Sequence, residues 1–190
     1  MPGNYLLNPL EFLLSTLFSI YILAVMLRFL LQWARADFYN PISQFLVKVT
    51  NPPLIPLRRL IPGIGGIDWA AVLLMLVLQM ASIALIIALR GGTLAVGPLA
   101  LFSLAELVNL LFNVFIFAIL IQVVISWINP GAYNPLISLL YSLNEPLLRP
   151  ARRVIPPIGG LDLSPLAVII ALQVLKMLVV PPLRHLAGGA

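Results

Sequence analysis

Four stretches of this chain are long and apolar enough to cross a lipid bilayer as helices, and that fixes the solvent it folds in. A spanning helix needs about 20 apolar residues at 1.5 Å per residue. The stretches run from about Pro9 to Gln32, Asp68 to Leu89, Pro98 or Leu104 to Trp127, and Ser164 to Val180. Asn8-Pro9 reads as an N-cap and first helical residue, and Ser164-Pro165 as another helix start. Arg90-Gly91-Gly92 and Pro181-Pro182 read as stops. No Lys or Arg precedes Arg28, so the first run is expected to stay as a membrane helix rather than leave as a signal peptide. With 62% hydrophobic and 9% charged residues, a water-soluble fold of 190 residues could not cover its apolar surface. The expected class is an all-α membrane protein.

The same composition excludes much chemistry. The chain has no cysteine and one histidine, His185, which reads as a tail residue near the end of the chain. Disulfides, thiolate nucleophiles, iron–sulfur clusters and histidine-rich metal sites are therefore not expected, and neither a metal nor a cofactor is assigned. No nucleophile with its activator, and no acid–base pair, stands at a recognisable spacing, so a non-enzyme is expected. The net charge of +5 sits beside apolar runs, which favours anionic lipid over nucleic acid as partner.

A register shift of 94 positions superimposes the chain on itself without a gap. Trp33 falls on Trp127, Asn40-Pro41 on Asn134-Pro135, Pro52 on Pro146 and Pro56 on Pro150. Arg58-Arg59 falls on Arg152-Arg153, Gly65-Gly66 on Gly159-Gly160, Asp68 on Asp162 and Gln79 on Gln173. The reading is two repeats, 1–90 and 91–190, each with two spans. An even number of spans makes the copies parallel, related by an axis along the membrane normal.

The segment between the spans of each repeat carries most of the matched residues. Asn40-Pro41 starts a helix whose Ile42, Phe45, Leu46 and Val49 form an apolar stripe, with Ser43, Gln44 and Lys48 off it. Leu136, Leu139, Leu140 and Leu143 repeat the stripe, opposite Ser138 and Ser142. About three turns of helix cannot cross a bilayer, so each is expected to lie in the interface plane. Pro52-Pro53 and Pro146 are expected to end these helices and leave extended chain that presents the arginine pairs to phosphates. Gly65-Gly66 and Gly159-Gly160 then turn the chain, through positive φ or close backbone approach. Asp68 or Asp162 sits at the mouth of the next helix, where an acid is favoured, and can pair with the arginines before it. The glycine turn matches no nucleotide-binding motif; a tight turn with a helix cap comes first, and headgroup binding by the double arginine second.

Arg35, Lys48, Arg58, Arg59, Arg149, Arg152 and Arg153 lie on the intra-repeat side, against Arg90 and Arg184 on the other. The positive-inside rule then puts the intra-repeat loops in the cytoplasm and both termini outside.

Trp127-Ile128-Asn129-Pro130, Tyr133-Asn134-Pro135, Glu145-Pro146-Leu147-Leu148-Arg149-Pro150, Arg152-Arg153-Val154-Ile155-Pro156-Pro157-Ile158-Gly159-Gly160 and Leu161-Asp162-Leu163-Ser164-Pro165 resemble the signature of the YggT, or YlmG-like, family. The first repeat departs from it with Arg35-Ala36 for Asn129-Pro130 and Trp69-Ala70-Ala71 for Leu163-Ser164-Pro165. The resemblance implies a small integral membrane protein without an assigned reaction. It also implies links to osmotic or potassium-related stress, envelope and division organisation, or plastid cytochrome assembly.

Polar residues within the spans need partners or water. Glu106, Asn109 and Asn113 fall within about 60° on a wheel of 100° per residue. Arg28 matches Gln122, and Lys176 matches Ser82. One reading is interhelical hydrogen bonding; the other is an ion or proton path using Glu106, Lys176 and Arg28. Two functions follow. The first is a membrane organiser or assembly factor that holds anionic lipid or the acidic surface of a membrane-protein partner through Arg58, Arg59, Arg149, Arg152 and Arg153, with a homo-oligomer as the other partner reading. The second is an ion-flux or osmotic protein with the Glu106 face lining a path.

Overall fold

The structure is a computed structural model that describes residues 7–93, 95–129, 131, 134–155 and 162–188. Among them run six helices: α1 Leu7–Trp33, α2 Pro41–Leu60, α3 Trp69–Leu89, α4 Val96–Ile128, α5 Pro135–Val154 and α6 Ser164–Leu186. The helices α1, α3, α4 and α6 are long and apolar enough to span a membrane. Little of each is buried inside the protein, as expected where lipid is the solvent for the rest.

The helices start where the sequence asks them to. Asn40 and Asn134 accept hydrogen bonds from the backbone N–H of Ile42 and Ile137, both at 2.9 Å, with proline following each cap. Asp68 caps α3 by accepting from Ala71 N–H at 3.3 Å. Several ends differ from expectation. Asn8 is not the N-cap of α1, which already includes Leu7; Pro9 lies in the first turn, where its missing N–H has no helical acceptor to serve. By the same logic α4 begins at Val96, two turns before Leu104, with Pro98 in its first turn. α6 runs through Pro181-Pro182 to Leu186; the carbonyls these prolines leave free belong to exposed Met177 and Leu178, and the last turn is held by an arginine described below.

The largest correction concerns the prolines between the spans. Pro52, Pro53 and Pro56 do not end α2, and Pro146 and Pro150 do not end α5; each helix continues for 20 residues and includes its arginine pair. A proline inside a helix frees the carbonyl four residues earlier. Pro53 frees that of Val49, which accepts the Tyr21 hydroxyl at 3.3 Å. Pro52 and Pro56 free carbonyls on exposed Lys48 and exposed Pro52. The Tyr21 hydroxyl thus replaces the donor missing at Pro53, while the other two freed carbonyls belong to residues on the exposed face.

The buried face of α2 is also rotated from the expected stripe. Ser43, Leu46, Thr50 and Leu54 are buried, while Phe45 is 63% exposed. α5 keeps the expected stripe at Leu139, Leu140 and Leu143 and buries Ile137, Asn144 and Leu148 with it; Leu136 is exposed.

Packing is strongest between α1 and α3 and between α4 and α6, the equivalent pairs of the two repeats. α3 packs on α4 across the repeats, but α6 makes no corresponding contact with α1 among the described residues. The two-fold arrangement is therefore open, and α6 is an edge helix. Trp33 meets Phe115 edge-on, with ring centroids 6.4 Å apart, and ties the repeats together from α1 to α4.

Candidate functional site

The ends of α1 and α4, the starts of α3 and α6, and the whole of α2 and α5 gather at one end of the bundle. Asn40 Nδ2 donates to the Pro135 carbonyl at 2.7 Å, so the two intra-repeat segments touch. Each arginine pair divides its labour. Arg58 Nε donates to Asp68 Oδ2 at 3.1 Å, and its Nη2 completes a two-point ion pair with the same oxygen. Arg152 Nε donates to Asp162 Oδ2 at 2.9 Å. The first arginine of each pair thus binds the acid that opens the next span and closes a ten-residue turn. The second, Arg59 or Arg153, is exposed and makes no ion pair among the described residues.

The two closures are not equal. Asp68 is buried, whereas Asp162 is exposed. Arg152 also reaches Glu145 at 3.3 Å, where the first repeat has Asn51. Burial pushes the Asp162 carboxyl up, but hydrogen bonds from Ser164 and Arg152 outweigh it and hold the group below the ordinary aspartate value. Gly65 and Gly66 have φ of 66° and 79° with open space where a Cβ would stand, so positive φ alone requires them. Gly159, Gly160 and Tyr133 lie outside the described residues.

The turn after the first span differs between the repeats for a local reason. Arg35 takes φ 53°, with Arg35 N–H donating to Gln32 O and Ala36 N–H to Leu31 O. These are the two bonds of a helix-ending left-handed motif. Asn129 precedes Pro130, which disfavours helical backbone at Asn129, and its φ is −147°. In the first repeat Ala36 and Phe38 thereby fold back toward the end of the span, where both line the cavity described below.

Inside that end lies a polar contact found in both repeats with different chemistry. Arg28 Nη1 donates to Thr50 Oγ1 at 2.7 Å and to the Val47 carbonyl at 3.4 Å. At the matching positions Asn144 Nδ2 donates to Gln122 Oε1 at 2.7 Å. A cavity of about 310 Å³ lies beside the first contact, lined by Arg28, Leu31, Gln32, Ala36, Phe38, Ser43, Leu46, Val47 and Arg58. A second of about 750 Å³ is lined mainly by α4 and α6, with Gln122, Ser126, Trp127, Tyr141, Arg152 and Asp162 among its residues.

The opposite end carries two ion pairs that sequence reasoning missed. Arg90 holds Glu11 with bonds of 2.9 and 2.6 Å. Arg184 holds Glu106 with Nε at 2.9 Å. The signal was available: Arg90 and Arg184 are register equivalents, but Glu11 matches Ala105, one residue short of Glu106. Lys176 Nζ donates to Asn113 Oδ1 at 2.6 Å between α6 and α4. Glu106, Lys176 and Arg28 are thus engaged by three different partners. Asn109 and Gln79 are half-buried, and Gln173 is exposed. Among the described residues no group of His, Cys, Asp and Glu is arranged to hold a metal ion.

The pattern of the CCB3/YggT family matches residues 7–89 and again 101–183, the two halves that repeat this arrangement. The chain belongs to the CCB3/YggT family. It is 46% identical over 179 residues to an uncharacterised protein of Pseudomonas aeruginosa, covering 93% of this chain and 91% of that one. It is 38% identical over 171 residues to the uncharacterised protein YggT of Escherichia coli K12, covering 90% and 89%. No solved structure matches the chain. In this family member the duplicated parts are the ion-paired turn between Arg58 and Asp68 and the buried contact from span to connecting helix; their chemistry is what diverges.

Proposed function

We propose that this multi-pass membrane protein is a non-catalytic organiser or assembly factor that holds anionic lipid, or an acidic membrane-protein partner, against its basic end. The observation that carries the reading is an imbalance of committed charge. At the opposite end Arg90 and Arg184 are each neutralised by a glutamate. At the intra-repeat end Arg35, Lys48, Arg59, Arg149 and Arg153 are exposed and in no ion pair among the described residues. Uncommitted cations beside a bilayer attract anionic headgroups at about 1 kcal/mol each. All three tryptophans, Trp33, Trp69 and Trp127, stand at this same end, where indole favours the headgroup level. On this reading α2 and α5 lie at the interface, this end faces the cytoplasm of a bacterial inner membrane, and both termini are periplasmic.

The test uses those tryptophans as donors. In vesicles of phosphatidylcholine with dansyl-labelled phosphatidylglycerol, energy transfer is expected to exceed that to labelled phosphatidylcholine. Arg149→Ala with Arg153→Ala should roughly halve the excess, as should raising salt, while Glu106→Gln should leave it unchanged. Equal transfer to both lipids in the unaltered protein would remove the lipid form of the proposal. Potassium flux from purified protein in vesicles, abolished by Glu106→Gln, would instead support the ion-flux or osmotic reading. That reading has the weaker support, because Glu106 is committed to Arg184 and Asn113 to Lys176.

A second copy of the chain is the further partner this reading includes. Leu76, Gln79, Met80 and Ile83 share one face of α3 and are half-buried, on a helix packed against both α1 and α4. Their equivalents Ile170, Gln173, Val174 and Met177 are exposed on edge helix α6. A second copy's α1 could cover that face as α4 covers α3.

A further inference from the structure

The cavity between the end of α1 and α2 has the makings of a ligand site. Arg28 is 8% exposed and Ser43 7% exposed. Arg28 bonds only a hydroxyl and a carbonyl, and no carboxylate pairs with it among the described residues. A buried guanidinium with neutral partners alone is costly, since its charge has been taken from water without a counter-charge. The Ser43 hydroxyl lines the same cavity, and its buried oxygen has no hydrogen-bond partner. Arg58 also lines the cavity but is already neutralised by Asp68. The walls contributed by Leu31, Leu46 and Phe38 are apolar.

We propose that this cavity binds one phosphodiester anion, the charged group of a phospholipid head, with Arg28 as counter-ion and Ser43 as hydrogen-bond donor. Charge selects the class. Arg28 contributes one uncompensated positive charge, while Arg58 and Asp68 cancel. A monoanionic diester restores neutrality; a dianionic phosphate would overshoot beside the Asp68 carboxylate. Depth selects the source. Arg28 lies five residues before Trp33, the last residue of α1, so roughly 7–8 Å inside the helix end, at the boundary between hydrocarbon and headgroups. A volume of about 310 Å³ suits a headgroup with part of its glycerol.

The second repeat supplies an internal control. Gln122 stands for Arg28, Ile137 for Ser43, and Arg152 is opposed by both Asp162 and Glu145. Among the described residues the corresponding end has no uncompensated buried cation and no orphan hydroxyl in the Ser43 position. One phospholipid per chain is therefore expected, not two.

The inference rests on the reading that this end meets headgroups, but it uses a buried site rather than exposed loops, so the two can fail separately. Full-length protein is extracted in mild detergent with phosphatidylglycerol, washed and weighed by native mass spectrometry. One phospholipid should stay bound per chain. Arg28→Gln, which copies the residue at Gln122, should weaken retention about tenfold. Ser43→Ala should weaken it about threefold while leaving the melting temperature unchanged, because it removes no bond within the protein. Arg149→Ala with Arg153→Ala should not change retention, even where it lowers lipid enrichment by energy transfer.

Soluble glycerophosphoglycerol and inorganic phosphate are added as competitors. Lipid that resists the soluble diester assigns the site to a membrane lipid; displacement by it assigns a soluble phosphodiester, and both uphold the proposal. No retained lipid and no bound diester would overturn it. So would retention unaffected by Ser43→Ala, or inorganic phosphate binding more tightly than either diester. Should Arg28→Gln fail to fold, Ser43→Ala still decides.

Discussion

The two halves of this protein share a backbone plan and spend charge on it differently. In the first repeat the acid at the mouth of the second span is buried, and among the described residues its arginine pairs with no other acid, adding only a bond to the Gln32 amide oxygen. In the second, Asp162 is exposed and Arg152 is shared with Glu145. In the first repeat a buried arginine joins span to connecting helix; in the second, two neutral amides do the same. A duplicated position thus preserves the contact it must make, not the residue type. Where one copy keeps a charge that its twin makes neutral, the excess charge points to something outside the fold.

The largest expected difference is at the paired aspartates. Asp68→Ala removes a buried helix cap and leaves Arg58 without its counter-charge, and should cost about 2–3 kcal/mol. Asp162→Ala removes an exposed acid that accepts from the Ser164 N–H, and Arg152 keeps Glu145, so about 1 kcal/mol is expected. Denaturation of both variants in the same detergent checks this; equal losses would mean that burial at Asp68 contributes nothing. Acid sharpens the contrast. Because the folded Asp162 carboxyl lies below its unfolded value, its contribution is complete above the unfolded value. It is lost as pH falls through the folded one. The second turn should therefore loosen only below about pH 4. Hydrogen exchange of the α6 amino end across that range would detect it.

A smaller difference separates the span-to-helix contacts. Importing the second repeat's pair into the first, Arg28→Gln with Thr50→Asn, should fold better than the sum of the two single changes predicts. A coupling of about 1 kcal/mol is expected, since both members of a donor–acceptor pair change together. The reverse transplant, Gln122→Arg alone, should destabilise by more than Arg28→Gln. It places a cation where Ile137 replaces the Ser43 hydroxyl and no emptied charge awaits it. Strict additivity in unfolding measurements on the four proteins would deny that the pairs are equivalent.

Much of this was legible in the sequence, because the constraints it answers to are crude. Bilayer thickness sets span length, and the register of Trp, Pro, Gly and Arg placed the first glycine turn and set each aspartate against the arginine pair before it; that the first arginine of each pair is the one that binds came only from the structure. What was not legible depends on third parties. That α2 would run through Pro52 and Pro53 depends on Tyr21, 28 residues from the Val49 carbonyl it serves. That Ser43 would be buried off the apolar stripe depends on how α2 is rolled against α1. The pair of Glu11 with Arg90 bridges 79 positions and breaks register by one residue, so the repeat signal hid it.

The finest difference lies on the matched helices α3 and α6. Gln79 is half-buried in a helix with neighbours on two sides, whereas Gln173 is exposed on the edge. A glutamine amide facing hydrocarbon lacks partners, and burying it against another chain restores them at about 0.6 kcal/mol per bond, up to about 1.7. Gln173→Leu should therefore weaken self-association in bilayers about threefold, while Gln79→Leu should leave it unchanged and act on unfolding instead. Förster transfer between differently labelled chains, diluted progressively with lipid, separates the two. Contact between α6 and a second copy's α1 would join unlike surfaces, so the association would extend head to tail or close into a ring. If both leucine variants shift the dilution curve equally, the edge position of α6 has no bearing on assembly, and the open side of the bundle faces lipid alone.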